Sequence, residues 1–148
     1  MVRMGLAIGV ILLAVFASAC AGGGGRSDTA MTLTPVGEWQ LVAIEGEAFE
    51  LPQGARLPTL TVREDGSVGG LAGINRFSGS VDADAWDDNG WMMGPAAMTR
   101  MAGTPAAMDF ESRYIELLGS ADLVYPWPKT MDLLQDGRFL LRFERVGE

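Results

Sequence analysis

Short apolar segments separated by turn residues fill the chain from residue 36 onward, and this pattern constrains the fold more than any other feature. The segments recur at roughly 8–12-residue spacing and alternate apolar with other residues, as half-buried strands do. The predicted strands are Trp39–Ile44, Leu57–Arg63, Val68–Gly73, Asn75–Val81, Trp91–Thr99, Asp122–Tyr125, Lys129–Leu134 and Arg138–Phe143. Glycines within the third segment indicate a bulge or a close approach of two backbones.

One segment has helical periodicity. Thr104 suits the N-cap, Pro105 suits the first helical position, and Gly119 suits the C-terminal end. The predicted apolar side carries Met108, Phe110, Glu111, Tyr114, Ile115, Leu117 and Leu118. Strands with one inserted helix predict a mainly β fold, a small antiparallel β-barrel-like or curled sheet with one α-helix.

The first 20 residues have the order of a secretory signal. Arg3 precedes an apolar run of about 12 residues, too short to span the ~30 Å bilayer core, and the small residues Ala17–Ala19 follow. A cysteine directly after them, Cys20, resembles the lipobox of bacterial lipoproteins, although Ala17 stands where a lipobox usually has leucine. We predict a signal peptide over residues 1–19 and lipid attachment at Cys20.

Lipid attachment would anchor the protein to a bilayer of the cell envelope, at the outer membrane or the periplasmic face in a Gram-negative cell. Residues 20–35 are rich in glycine and predict a flexible tether. Residues 36–148 then form one domain.

Composition excludes several functions. The formal charge is -8, and removal of Arg3 with the signal changes it to -9, so nucleic acid is not an expected partner. The chain has no histidine, which excludes His-dependent triads and removes the commonest ligand of zinc and non-haem iron sites. We expect no cofactor, no metal and no catalytic residue.

Three further features could have either a functional or a structural role. The acidic segment 82–90 lacks the ligand and glycine spacing of an EF-hand loop in either frame, so a solvated hairpin turn is preferred over a weak calcium contact. Methionines on strand and helix faces predict core filling rather than copper binding. The segment Tyr125-Pro-Trp127-Pro128 predicts a rigid turn held by burial of its tryptophan, with an exposed contact surface as the alternative.

A family resemblance rests on segments in conserved order along the domain. They are Gly37–Leu41, Leu60–Gly70, Ala72–Ser80, Met98–Ala102, the helix with Met108 and Glu111, and the closing hairpin Met131–Phe143. Together these segments resemble the META domain, the family of the heat-shock-inducible HslJ-type envelope proteins. The resemblance implies a META/lipocalin-like topology and a role in envelope stress tolerance.

Two positions depart from the family pattern together. Many relatives carry cysteines where this chain has Ile74 and Gly103. The resemblance implies that the two positions lie close in space, and that burial of Ile74 replaces a cross-link found in relatives.

The same resemblance brings Asn75 and Arg76 close to Thr99 and Arg100. These four residues form either a polar patch for an anionic or peptidic ligand or a structural cluster. In the structural reading, Asn75 tolerates an awkward backbone and Thr99 binds a neighbouring carbonyl group.

We therefore expect a non-enzymatic, monomeric, lipid-anchored envelope protein. The alternatives are a binding module for an apolar ligand, an inhibitor of a secreted protease, and an enzyme that uses carboxylates alone. An enclosed apolar pocket would favour the binding module, and two carboxyl groups about 5–9.5 Å apart in a cleft would favour the enzyme. A filled interior would favour a protein that acts through its surface.

Overall fold

The structure is a computed structural model that describes residues 33–147. The predicted signal peptide, Cys20 and residues up to 32 of the tether lie outside the described residues. The elements in chain order are β1 Gly37–Ile44, β2 Thr59–Val62, β3 Ser67–Leu71, β4 Arg76–Ser80, a 3-10 helix Ala83–Asp88, β5 Ala97–Met98, α1 Pro105–Ser120, β6 Leu123–Pro126, β7 Thr130–Gln135 and β8 Arg138–Arg145.

All eight strands form one antiparallel sheet in the order β5-β4-β3-β2-β1-β8-β7-β6. The sheet curls. The segment after the 3-10 helix forms isolated bridges near both ends of the strand order: Gly90 pairs with Leu123 of β6, and Met93 pairs with Val81, which follows β4. The predicted curled sheet with one helix is confirmed, whereas a closed barrel does not form. Single bridges stand here in place of a continuous ladder.

The concave side of the sheet is filled by large side chains, among which Trp39, Trp91, Tyr114 and Phe143 are fully buried. Tyr114 reaches in from α1 and meets the ring of Phe143 edge-on, with centroids 6.5 Å apart. Edge-to-face pairs of this kind stabilise a core beyond their buried area. The helix therefore closes one side of the core.

Strands β2 and β3 approach each other closely. A Cβ atom at Gly70 would overlap the carbonyl oxygen of Thr59 on the neighbouring strand. The pairing of β3 keeps a regular register with both neighbours. Of the two roles predicted for these glycines, close backbone approach is therefore the one observed.

Helix α1 begins as predicted and ends later. The Thr104 side chain accepts a hydrogen bond from the Ala107 N–H at 3.3 Å, and Pro105 is the first helical residue. The helix continues through Gly119 to Ser120, so the predicted C-terminal role of Gly119 is wrong. Met108 is also exposed rather than part of the buried side, which consists of Ala107, Glu111, Tyr114 and Leu118.

Other local predictions need correction. The predicted strand Trp91–Thr99 is reduced to the two residues of β5. The acidic segment forms a 3-10 helix, because the Asp82 side chain accepts from the Asp84 N–H at 3.1 Å and caps it. The hairpin between β7 and β8 turns as predicted, with Asp136 and Gly137 both at positive φ.

Two predictions about apolar side chains fail. Met131 is buried, but Met92 and Met101 are exposed by 62% and 54%. Trp127 is 51% exposed, so its turn is not held by burial of the ring. These residues have the types and the spacing of core residues. They are exposed because no strand or helix of the described chain packs over them.

The described residues include no helix with the length and apolar character needed to cross a membrane.

Candidate functional site

The turn between β3 and β4 folds onto the first half of helix α1. Gly73 takes a φ of +131°, which favours glycine, and the Ala72 N–H donates to the Asn75 carbonyl oxygen at 2.8 Å. The turn thereby directs two successive N–H groups at one carboxylate oxygen. Oε2 of Glu111 accepts from the Ile74 N–H at 2.9 Å and from the Asn75 N–H at 2.6 Å.

The side chain of Asn75 joins this turn to the segment after β5. Its Nδ2 donates to Oε1 of Glu111 at 2.8 Å and to the Met101 carbonyl oxygen at 3.1 Å. Its Oδ1 accepts from Thr99 Oγ1 at 3.0 Å and from the Met101 N–H at 2.6 Å. Both donors and both acceptor positions of the amide are used, in a residue that is only 5% exposed. We call the two buried residues, Asn75 and Glu111, the buried polar cluster, and Thr99 is exposed at its edge.

The structure brings Thr99 and Asn75 together, whereas the side chains of Arg76 and Arg100 form no hydrogen bond with them among residues 33–147. Thr99 Oγ1 accepts from the Arg76 N–H at 3.0 Å, and the Thr99 N–H donates to the Arg76 carbonyl oxygen at 3.0 Å. Thr99 thus binds the side-chain carbonyl of Asn75 through its hydroxyl and the backbone carbonyl of Arg76 through its N–H. Arg76 and Arg100 are exposed, and neither forms an ion pair among residues 33–147.

The strained backbone of the site lies at Gly73. Among the described residues, the non-glycine positions with positive φ are Glu45, Asn89 and Asp136, so Asn75 is not one of them. The Asn75 side chain is therefore placed by its hydrogen bonds rather than by an awkward backbone.

Ile74 and Gly103 are neighbours, as the family resemblance implies. A Cβ atom at Gly103 would overlap Cδ1 of Ile74, and Ile74 is buried. The Ile74 carbonyl oxygen also accepts from Arg56 Nη2 at 3.0 Å. The isoleucine side chain therefore fills the space next to Gly103 and packs at the edge of the buried polar cluster.

An open cleft of about 800 Å³ lies over the buried polar cluster. Its walls are the segment 96–102 and the side chain of Met108, with Asn75 and Glu111 at its base. The thioethers of Met101 and Met108 are exposed at this cleft. The walls are thus mainly apolar side chains and backbone, with Arg100 as a charged side chain. The polar groups at the base already bind one another.

Glu111 is the residue whose role the sequence analysis missed, although it lies within the predicted apolar side of α1. A charged residue at a buried helical position is unusual because burial of an unpaired charge is costly. The presence of a glutamate on the predicted buried side of α1 was therefore the sequence signal for a buried hydrogen-bonding role. Its partners lie 36 and 37 residues earlier in the chain, and a single sequence does not reveal them.

A second polar pair lies on the sheet between β7 and β8. Arg142 donates from Nε and Nη2 to the two carboxylate oxygens of Asp132 at 2.6 and 2.9 Å. The hydrogen bonds and charge of Asp132 raise the pKa of Arg142. Asp132 is buried and Arg142 covers it, so this pair satisfies a buried carboxylate rather than exposing a reactive group.

The buried phenol of Tyr114 is held neutral. Burial raises the pKa of Tyr114 far above its ordinary value, and its hydroxyl donates to the Thr59 carbonyl oxygen at 3.4 Å. Residues 33–147 contain neither histidine nor cysteine, and no three metal-ligating side chains gather in this part of the chain.

Comparison with known proteins adds the relatives of this fold. A protein structure from Burkholderia xenovorans, solved by NMR, matches with 29% identity and a TM-score of 0.58, covering 76% of this chain and 83% of that one. A second NMR structure matches with 19% identity and a TM-score of 0.55, covering 74% of this chain and 89% of that one.

The crystal structure of a DUF4847 family protein from Bacteroides vulgatus is similar in fold, with 17% identity and a TM-score of 0.52. The match covers 76% of this chain and 94% of that protein. No curated protein matches the chain. The family model of the META domain matches residues 31–147, which include every strand and helix described above. The chain therefore belongs to the META domain family.

Proposed function

We propose that this protein is a lipid-anchored, non-enzymatic component of the cell envelope that acts through its surface and contributes to envelope stress tolerance. The observation that carries the proposal is the filled interior of the sheet. Trp39, Trp91, Tyr114 and Phe143 occupy the space that a lipocalin-like binding protein would use for an apolar ligand. Contact with other molecules is therefore assigned to the outside of the domain.

The buried polar cluster supports a non-enzymatic role for the cleft above it. A general base needs an oxygen that can reach a substrate proton. Each oxygen of Glu111 already accepts at least one hydrogen bond, and Oε2 accepts two from the backbone. The carboxylate therefore acts as a fixed acceptor that holds the β3–β4 turn against α1.

The anchor rests on the small residues before Cys20 and on the glycine-rich segment after it. The stress role rests on membership of the META domain family, whose HslJ-type members are heat-shock-inducible envelope proteins.

The anchor is tested by Cys20→Ser, with Ser27→Ala in the same N-terminal region as the matched control. Wild type and Ser27→Ala should fractionate with membranes and carry an acylated N-terminus by mass spectrometry. Cys20→Ser should leave the membrane fraction or keep its signal peptide. A Cys20→Ser protein that stays in the membrane pellet with an unchanged N-terminal mass would contradict the anchor.

The stress role is tested in a strain that lacks the protein, grown at raised temperature and with an envelope-disrupting compound. We expect a growth defect that wild type and Ser27→Ala correct and Cys20→Ser does not. A deletion strain that grows like its parent in both conditions would contradict the stress role and leave the anchor unaffected.

A further inference from the structure

The chain enters the sheet beside the turn between β6 and β7, and Arg145 joins the two. Its Nη1 donates to the Val36 carbonyl oxygen at 3.2 Å and its Nε donates to the Pro128 carbonyl oxygen at 3.1 Å. Its guanidinium also lies over the Trp39 ring, 4.2 Å from the centroid. One side chain therefore fixes the position of the β6–β7 turn relative to the point where the tether begins.

Three exposed apolar side chains belong to the segments that lead into this point. Trp127 lies in the turn and is 51% exposed, while Leu33 and Val146, at the two ends of the described chain, are 42% and 47% exposed. Lys129, the single lysine of the sequence, stands two residues after Trp127. We call Leu33, Trp127, Lys129 and Val146 the tether-side face.

This combination of side chains is typical of contact with a bilayer interface. Tryptophan prefers the headgroup region, and lysine reaches past apolar groups to place its charge among the headgroups. At the opposite end of β1 and β8, the connections carry Glu45, Glu47 and Asp136. Exposed acidic side chains also lie beside the tether-side face, at Glu38 and Glu144, so the sign of the charge does not distinguish the two ends.

The length of chain between Cys20 and Leu33 limits how the domain can face the bilayer. The 13 residue steps between them span at most about 45 Å when fully extended. A domain of this size is about 35 Å across. Presenting the opposite end to the bilayer would require this segment to pass along the whole domain close to its full extension. The tether-side face is the end that the covalent connection brings to the membrane.

We propose that the tether-side face lies on the bilayer interface, with Trp127 inserted at the headgroup level, as a second contact besides the lipid on Cys20. The proposal rests on the proposed lipid anchor. The β2–β3 turn near the start of β1 carries Glu64 and Asp65. Because these charges disfavour an anionic surface, the fitting partner is a zwitterionic lipid headgroup.

The test uses the complete lipidated protein, reconstituted into phosphatidylcholine vesicles with or without brominated acyl chains, which quench nearby tryptophan. Trp127 is the most exposed tryptophan, because Trp39 and Trp91 are fully buried and Trp86 is partly buried. We expect the brominated vesicles to quench one component of the emission. Trp127→Phe should abolish that quenching, and the matched control Trp86→Phe should retain it.

The outcomes separate the two proposals. Protein that floats with the vesicles but shows the same emission in both lipids would overturn the proposed contact and leave the anchor intact. Protein that does not float would overturn the anchor and, with it, the contact that depends on it. Quenching that persists in Trp127→Phe would also overturn the contact, because another tryptophan would then be the one near the lipid.

Discussion

Replacing Glu111 by glutamine should destabilise the domain although the two side chains have nearly the same shape. Glu111 accepts three hydrogen bonds, two from backbone N–H groups and one from the Asn75 amide. Glutamine offers one oxygen and one NH2 group. If its oxygen accepts from the two backbone N–H groups, its NH2 group faces the NH2 group of Asn75, so two donors meet. Rotating the Asn75 amide by about 180° removes that clash but turns the Asn75 NH2 group towards the Met101 N–H, so two donors meet there instead.

The expected cost follows from that single unresolved conflict. A buried donor left without an acceptor costs about 1–3 kcal/mol, and the two remaining bonds lose the extra strength that a charged acceptor provides. We expect the free energy of unfolding to fall by about 2–4 kcal/mol. With a urea m-value of about 2 kcal/mol per M, the unfolding midpoint falls by about 1–2 M.

The assay is urea unfolding followed by tryptophan fluorescence, with Glu116→Gln as the matched control. Glu116 is exposed on the same helix, so its replacement should change stability by no more than about 0.5 kcal/mol. A midpoint for Glu111→Gln equal to that of Glu116→Gln would refute the reasoning.

A double variant tests the geometry more sharply. Asn75→Asp alone places two carboxylates against each other, because Asn75 Nδ2 and Glu111 Oε1 are 2.8 Å apart. Combined with Glu111→Gln, it restores a donor opposite an acceptor. The oxygen that replaces Asn75 Nδ2 still faces the Met101 carbonyl oxygen, so the double variant stays less stable than wild type. Its loss of stability should nevertheless be smaller than the sum of the two single losses, with a coupling energy of about 1–3 kcal/mol. Additive effects would show that the two side chains do not face each other as described.

Two further predictions concern other contacts. Ile74→Cys with Gly103→Cys should form a disulfide on oxidation, because the two positions touch and a disulfide needs Cα atoms about 4.4–6.8 Å apart; two free thiols by mass spectrometry in folded, oxidised protein would contradict this contact. Hydrogen bonds from Ser67 to Asp65 lower the pKa of the Asp65 carboxyl group. The ionised carboxylate therefore stabilises the fold above the ordinary pKa of aspartate, and this stabilisation is lost as the pH falls through the lowered pKa. Ser67→Ala should raise the pKa of Asp65 in an NMR titration, and an unchanged pKa would contradict the assignment.

Most of the strands and the start of the helix were predictable because local chemistry determines them. Alternation placed β1 and β8, and Thr104 with Pro105 placed the beginning of α1. The family resemblance correctly placed Ile74 beside Gly103. These features depend on neighbours in sequence or on a pattern shared by relatives.

The failures arise where distant elements decide the environment. Met101 and Trp127 have the residue types of a core, but no other element covers them sufficiently. Glu111 has the residue type of a surface, yet the β3–β4 turn supplies it with backbone donors. In both cases the sequence gives no sign of which segment packs against the residue. Lipid attachment at Cys20 stays a prediction.

The pairing of the first strand with the last has a consequence for how the chain reaches its folded state. Trp39 of β1 is opposite Arg145 of β8, so about a hundred residues must be enclosed before these two neighbouring strands pair. Such a long loop carries a large closure entropy and predicts slow folding. The sheet also cannot be completed until the C-terminal residues have left the ribosome. Until then β1 and β7 remain open edges, exposed to pairing with another copy of the chain.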